Sequence, residues 1–270
     1  MTWHWIPGPP CGFEGVGFQM EIYCDYQSAK PVDPRVIDAM IPYLHDRFGN
    51  PSSLHKIGDD ASTTLEDCRQ TIADFINAEK EEIIFTSGAT ESNNQGLIGY
   101  ALRNKAKGNH IIISETEHIS IHNIVKFLAK NGFEVTKVPV DQYGRVNVEK
   151  LKERITDKTI LISIGYASNE IGTLQPIKKI GGLCRQKNIV FHSDGAAAEG
   201  LIHIDVKRDK LDLLTLSSND IYGSKGLGVL YKRKGIRLNP LIIGGGQEYG
   251  LRSGSENIPA IVGMKKAVEI

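Results

Sequence analysis

The feature that most constrains the fold of this sequence is an alternation of short apolar runs with amphipathic segments, which begins near residue 31. The apolar runs have the length of buried strands, and the segments between them carry apolar residues at helical spacing. This order predicts an α/β fold in which a mostly parallel sheet carries helices on both faces. The predicted strands are 82–86, 110–114, 134–140, 159–165, 189–194, 211–216 and 228–232, and the predicted helices are 34–44, 59–77, 91–105, 119–130, 148–155, 177–186 and 261–270.

The composition is that of an ordinary globular protein. Lys plus Arg and Asp plus Glu both number 32, so the net charge gives no reason to expect nucleic acid or an anionic membrane as a partner. No run approaches the ~20 apolar residues of a membrane-spanning helix. The cysteines lack CxxC spacing, which argues against a disulfide framework and favours the reducing cytoplasm. They are Cys11, Cys24, Cys68 and Cys184.

The two ends of the chain differ from the sequence between them. Residues 1–19 contain two Trp, three Pro and four Gly without periodicity or a basic segment, so we expect a disordered leader and no signal peptide. Patterned sequence begins at Met20, which predicts one large domain over residues 20–270. The sequence ends inside a helical pattern, and we expect the domain to be truncated there.

The segment from Thr86 to Glu91 lies where a predicted strand passes into a helix. Backbone N–H groups and a hydroxyl at a helix N-terminus form an anion site. The segment lacks both the GxxxxGK[ST] and the GxGxxG spacing of nucleotide-binding loops. Taken alone, it is better explained as a helix start capped by Ser87 or Thr90.

Three polar residues follow predicted strands, where open parallel sheets bind ligands. Asp194 is suited to pairing with a cationic ring nitrogen, and equally to capping a turn. His118 is suited to stacking on a flat ring or moving protons. Asn169 is suited to hydrogen bonding a ring oxygen, or to a loop turn. His118 and His122 have the i,i+4 spacing of metal ligands, but no carboxylate or thiol completes the set, so we expect no metal.

Eight blocks of this sequence agree in order and spacing with one family. They are PVDPRV (31–36), FGNPSS (48–53), SGATES (87–92), ETEH (115–118), SNEIGTLQPI (168–177), FHSDG (191–195), IYGSKGLGVLY (221–231) and GGGQEYGLRSGSEN (244–257). From about Met20 onward the sequence closely resembles the cysteine desulfurases, within the class V aminotransferases. The resemblance implies a homodimer with a seven-stranded large domain. It also implies a pyridoxal-phosphate (PLP) dependent transferase that takes sulfur from L-cysteine and passes it to a scaffold protein for iron–sulfur cluster assembly.

By position, the resemblance also implies roles around the cofactor. Ala89, Thr90 and Ser217 match residues that bind its phosphate. Ser255 stands where a Thr of the second subunit reaches the same phosphate.

The ring of the cofactor has its own implied contacts. His118 matches the catalytic residue that stacks on the pyridine ring, and Asp194 matches the partner of the ring nitrogen. Asn169 matches the partner of the ring hydroxyl and of the substrate.

The sequence departs from the family at the site itself. Asp220 stands at the position of the Schiff-base lysine, and Asn219 replaces the neighbouring histidine. A carboxylate forms no imine and adds negative charge beside a phosphate-bearing cofactor. Ala197 replaces a Gln that contacts the ring hydroxyl, and Lys225 matches the second lysine of the family, not the catalytic one. The nucleophilic cysteine of the family lies beyond the last residue of this chain.

Three hypotheses follow. The first is a relative that binds PLP non-covalently, with weak or altered desulfurase activity. The second is a pseudoenzyme: a dimeric docking or cluster-binding partner of a scaffold. The third is a fragment with little activity. Because the losses affect separate steps of the reaction, we expect the desulfurase activity to be impaired.

Overall fold

The structure is a computed structural model that describes residues 22–270, so the predictions made for residues 1–19 lie outside the described residues. Seven strands form one sheet in the order β1-β7-β6-β5-β4-β2-β3. Strand β7 is antiparallel to both of its neighbours, β1 and β6, and the other pairs are parallel. This confirms the α/β class and the mostly parallel sheet. The strands are β1 (Ile83–Thr86), β2 (His110–Ser114), β3 (Glu134–Val138), β4 (Thr159–Ser163), β5 (Val190–Asp194), β6 (Leu213–Ser217) and β7 (Gly228–Lys232).

The helices lie between these strands and at both ends of the described chain. They are α1 (Pro34–Met40), α2 (Pro42–His45), α3 (Lys56–Phe75), α4 (Ala89–Asn104), α5 (Ile119–Lys130), α6 (Val148–Glu153), α7 (Ile177–Lys187), α8 (Val206–Asp209) and α9 (Ile258–Glu269). The single helix predicted over 34–44 is divided in two, since Pro42 has no N–H to donate and opens a new helix. No helix within residues 22–270 is long and apolar enough to cross a membrane.

Two buried apolar clusters enclose the sheet. Ile112, Phe191 and Leu214 belong to one cluster, and their chain neighbours, Ile111 and Leu213 among them, belong to the other. Because side chains alternate between the faces of a strand, this division places one cluster on each face. Helices α3, α7 and α9 supply the first cluster, and α4 and α5 supply the second. The strands are therefore covered on both sides, as their apolar sequences predict.

A buried ion pair fixes the glycine-rich segment 244–254 to the edge strand β1. The Arg69 guanidinium donates to both carboxylate oxygens of Glu248, at 2.8 and 2.7 Å. The backbone N–H of Phe85 donates to the same carboxylate at 2.7 Å, and Arg69 also donates to the carbonyl of Ile83 at 2.8 Å. Both charged groups thus have partners for their buried polar atoms, which is the condition for a stable buried pair.

Candidate functional site

A cavity of about 390 Å³ lies at the carboxyl ends of β2, β4, β5 and β6, where ligands bind in open α/β sheets. The strand ends and the turns after them contribute its polar wall. Seven residues that the sequence singled out meet there: Ala89, His118, Asn169, Asp194, Ala197, Asn219 and Asp220. Thr90, Ser217 and Ser255 do not line this cavity, and Ser255 is exposed on a loop.

The N-terminus of α4 is not capped by a side chain, so the sequence-based prediction of Ser87 or Thr90 as the cap was wrong. Gly88 is the N-cap residue, at φ 149°. Its conformation is one that glycine adopts without strain. The backbone N–H of Ser87 donates instead to Glu91 Oε2 at 2.8 Å. The first turn of α4 therefore keeps backbone N–H groups without a side-chain cap, next to Ala89 in the cavity wall.

Gly228, the first residue of β7, lies where two backbone segments approach closely. A Cβ atom on Gly228 would lie 2.5 Å from the carbonyl carbon of Gly88. Strand β7 therefore packs directly against the turn that leads into α4, and no larger residue fits at this position. This contact holds the start of β7 beside the segment 86–91, which the sequence suggested for anion binding.

Asp194 closes strand β5 with its carboxylate held by two donors. Asn93 Nδ2 donates to Oδ2 at 2.7 Å, and the backbone N–H of Ala196 donates to Oδ1 at 3.1 Å. Burial raises the pKa of Asp194, and both hydrogen bonds oppose the shift. Both interpretations of this residue are compatible with these contacts, because the same carboxyl caps a turn and faces the cavity.

Glu117 is a buried carboxyl group beside Asp194. It accepts hydrogen bonds from the backbone N–H of Gly165 at 3.0 Å and from the hydroxyl of Ser114. Burial raises the pKa of Glu117 to about 7. His118 follows as the exposed N-cap of α5, with Nδ1 accepting from the backbone N–H of Ser120 at 3.2 Å.

Asp220 lies on the 3-10 turn Ser218–Ile221, directly after β6. Burial raises the pKa of Asp220, while the Ser217 hydroxyl and the charges of Lys30 and His118 oppose the shift. The Lys30 ammonium donates to the backbone carbonyl of Asp220. Within residues 22–270, no cationic side chain lies within 4.0 Å of the Asp220 carboxylate. Lys30 thus fixes the turn and leaves the carboxylate unpaired.

A second cavity, of about 270 Å³, adjoins the first and shares Asn169, Ala197 and Asp220 with it. Lys30 and Glu199 also line this second cavity. Glu199 is 1% exposed, and its Oε1 accepts from the backbone N–H of Ser217 at 2.6 Å. Burial raises the pKa of Glu199 well above its usual range, and the nearby acids add to the shift.

Sequence reasoning missed Glu199, Lys30 and Asn93 as members of this site. A charged residue after the small-residue run Gly195–Ala198 was the available signal for Glu199. Lys30 and Asn93 gave no local signal, since they meet residues 190 and 101 positions away.

The described cysteines and Lys225 lie away from these two cavities. Cys68 and Cys184 are buried, and burial raises the pKa of Cys68 to about 12. Cys24 is exposed and does not line either cavity. Cys11 lies outside the described residues. Lys225 is exposed and also lies outside both cavity walls.

No group of three or more His, Cys, Asp or Glu side chains in the described part of the chain is arranged to hold a metal ion. His118 and His122 therefore have no third ligand there.

Comparison with known proteins agrees with this architecture. Residues 22–270 match the family model described as Aminotransferase class-V. A protein of Archaeoglobus fulgidus named cysteine desulfurase IscS 1 is 54% identical over 248 residues, which cover 92% of this chain and 65% of that protein. A Clostridium botulinum cysteine desulfurase IscS is 47% identical, over 93% of this chain and 63% of its own length. The chain belongs to the class V aminotransferase family and, within it, to the cysteine desulfurases.

Two solved structures are also similar to this chain. A protein described as NifS-like superposes with a TM-score of 0.90 at 38% identity, covering 93% of this chain and 69% of that one. A structure described as SspA in complex with cysteine gives a TM-score of 0.89 at 40% identity, over 92% and 72% of the two chains. The chain spans 65% and 63% of the lengths of the two curated relatives, so the activity of the whole protein is a matter for proposal.

Proposed function

We propose that this chain is a cysteine desulfurase-like protein of iron–sulfur cluster assembly that binds PLP without a covalent bond. Its release of sulfur from L-cysteine is impaired. The observation that carries the proposal is Asp220, an unpaired carboxylate at the lysine position of the family, in a cavity that keeps other polar groups of the site. A scaffold protein is the partner, as the family resemblance implies.

The fit of the cavity supports PLP as the ligand. Its volume of about 390 Å³ lies in the range of small-molecule sites. The buried Asp194 carboxyl is suited to a protonated ring nitrogen, and the uncapped start of α4 is suited to a phosphate group. Nothing in this cavity wall supplies a lysine amine, so the residues fit the cofactor but not a covalent link to it.

Each residue would have a separate task at the cofactor. Asp194 would hold the proton on the ring nitrogen, and His118 would cover one face of the ring. Backbone N–H groups of Ala89 and Thr90, with the Ser217 hydroxyl, would bind the phosphate. Asn169 would orient the ring hydroxyl and the substrate. When bound, PLP supplies an electron sink for bond cleavage in an amino acid.

Desulfurase activity would be lost at the proton-transfer step, because residue 220 is an aspartate. A lysine amine moves the substrate proton in the family, whereas a carboxyl group at Asp220 is a much weaker base. Asn219 cannot take over this task, because an amide does not titrate in the physiological range.

A homodimer in the cytoplasm is part of the proposal. Leu241, Ile242 and Ile243 are exposed apolar neighbours, beside the segment 244–254 that directly precedes Ser255. Burying these side chains against a second copy would favour association. The three described cysteines are free thiols, which is typical of a reducing compartment.

The test is PLP retention and alanine release by the wild type and Asp220→Lys. We expect the wild type to retain PLP in equilibrium dialysis but to release little alanine from L-cysteine with a small thiol as sulfur acceptor. Asp220→Lys should retain PLP more tightly and release more alanine. Asp157→Lys makes the same charge change at an exposed site outside the cavity and should behave as the wild type.

Failure of the wild type to bind PLP at any concentration would overturn the cofactor part of the proposal. It would favour instead a non-catalytic dimeric docking or cluster-binding partner of a scaffold. The observation that favours this second candidate is that Asp220, and not an amine, lines the cavity at the lysine position of the family. Alanine release by the wild type at the rate of Asp220→Lys would contradict the assigned effect of Asp220.

A further inference from the structure

Two buried polar atoms in the walls of the adjoining cavities lack hydrogen-bond partners. Asn219 Oδ1 and Glu199 Oε2 are buried without a hydrogen-bond partner among the described residues. Asn219 lines the first cavity, Glu199 lines the second, and Asp220 lines both. Buried acceptors without donors are costly, and a bound donor group would offset that cost.

Lys30 does not neutralise this cluster of acceptors. Its ammonium group is the nearby cation, but it is engaged with the backbone carbonyl of Asp220. It also lies over the ring of Tyr222, 5.3 Å from the centroid. The carboxylate of Asp220 therefore faces the cavity without a paired cation. The Asp220 carboxylate and Asn219 Oδ1 are therefore acceptors without a paired cation where the family carries an amine.

We propose that the cavity selects the aminomethyl form of the cofactor, pyridoxamine phosphate, over the aldehyde form, PLP, because its ammonium group pairs with the Asp220 carboxylate. This inference rests on the proposed function in that it takes the same cavity as the cofactor site. It reverses the pairing of the family: a carboxylate on the protein meets an amine on the ligand.

The charges favour the aminomethyl form for two reasons. An aldehyde oxygen is one more acceptor beside Asp220 and Asn219, whereas an ammonium group brings three donors. Burying the phosphate charge beside carboxyl groups that lack counterions is unfavourable. The ammonium charge of the ligand offsets part of this cost. Asp194 and Asp220 line the same cavity, so one ligand can meet both carboxyl groups. A cation beside Asp220 would also oppose the effect of burial on its pKa.

The test compares three ligands that differ in one substituent on the ring. Isothermal titration of the wild-type chain is made with pyridoxamine phosphate, pyridoxine phosphate and PLP. A charge-assisted hydrogen bond in a partly buried site is worth about tenfold or more in affinity. We expect pyridoxamine phosphate to bind at least about tenfold tighter than either of the others. The neutral hydroxymethyl group of pyridoxine phosphate separates charge from size.

Asp220→Asn, which keeps the shape and removes the charge, should abolish the preference, whereas Asp157→Asn should leave it unchanged. Equal or tighter binding of PLP by the wild type would overturn the inference and leave the proposed cofactor site standing. The absence of binding by all three ligands would overturn both. Because the comparison of ligands uses the wild-type chain, it decides the inference even where a variant fails to fold.

Discussion

Two groups of buried ionisable residues in this molecule have opposite character. Arg69 and Glu248 form a bidentate pair in which each buried charge meets its counterion and further hydrogen-bond partners. Asp194, Glu199 and Asp220 share the cavity region with no cation in ion-pair contact within the described residues, and Glu199 Oε2 has no partner. The first group stabilises the fold, since its charges are compensated. The second is costly to bury, which is typical of sites that bind ligands.

The largest effect on stability is expected at the Arg69–Glu248 pair, where each buried charge has its counterion. Glu248→Gln keeps the shape of the side chain but leaves the Arg69 charge buried without its counterion. We expect the free energy of unfolding to fall by about 3–5 kcal/mol, measured by urea denaturation. Glu66→Gln is the matched control, because Glu66 contacts the same guanidinium at 3.1 Å but is 41% exposed. Its loss should stay below about 1 kcal/mol. Equal losses in the two variants would remove the distinction between the two groups.

Glu117 is a buried acid in the cavity wall, and its ionisation should cost folding free energy. Its pKa of about 7 lies above the usual value, so the folded state holds a proton that the unfolded chain releases. The wild type should therefore lose stability as the pH rises from about 4.5 to about 7, by up to about 3 kcal/mol.

Glu117→Gln should remove this loss while keeping an acceptor for the N–H of Gly165. The measurement is the free energy of unfolding at pH 4, 6 and 8 for both proteins. Glu115→Gln, at an exposed neighbour, should keep the wild-type profile. Parallel profiles for the wild type and Glu117→Gln would show that Glu117 is not the group responsible.

Asp220→Asn should change the free energy of unfolding the least of these variants. Because burial raises the pKa of Asp220, the stability it contributes at low pH is lost as the pH rises through that raised pKa. Asp220 is only partly buried, so the gain from Asn at pH 7 should be below about 1 kcal/mol and should disappear near pH 3. A loss of stability at pH 7 would mean that the carboxylate is compensated in the folded protein.

The fold could be predicted from the sequence because the alternation of apolar runs and amphipathic segments that encodes it is local. The limits of β2, β7 and α5 were predicted as the structure has them, since Gly and polar residues bound each apolar run. Helix α3 begins at Lys56, earlier than predicted, because the imidazole of His55 caps it by accepting from the N–H of Gly58. Histidine is not among the usual capping residues, so the pattern gave no sign of this start.

Only part of the candidate site could be predicted from the sequence. Asp194, His118 and Asn169 were found because they follow strands that end at one edge of the sheet. The contact between Lys30 and Asp220 joins residues 190 positions apart. It depends on how the segment before α1 meets the turn after β6, where the backbone N–H of Asp33 donates to the carbonyl of Tyr222 at 2.9 Å. Spacing in the sequence carries no information on such a contact. The unpaired state of Asp220 therefore required the structure.

We propose that Asp220 leaves the cofactor without a covalent link to the protein. The most direct measurement treats the wild type and Asp220→Lys with PLP and then borohydride, and determines the intact mass and the modified residue. We expect an unmodified wild type and one phosphopyridoxyl group per chain on residue 220 of the variant. A stoichiometric adduct on Lys30, or on any other lysine of the wild type, would contradict it.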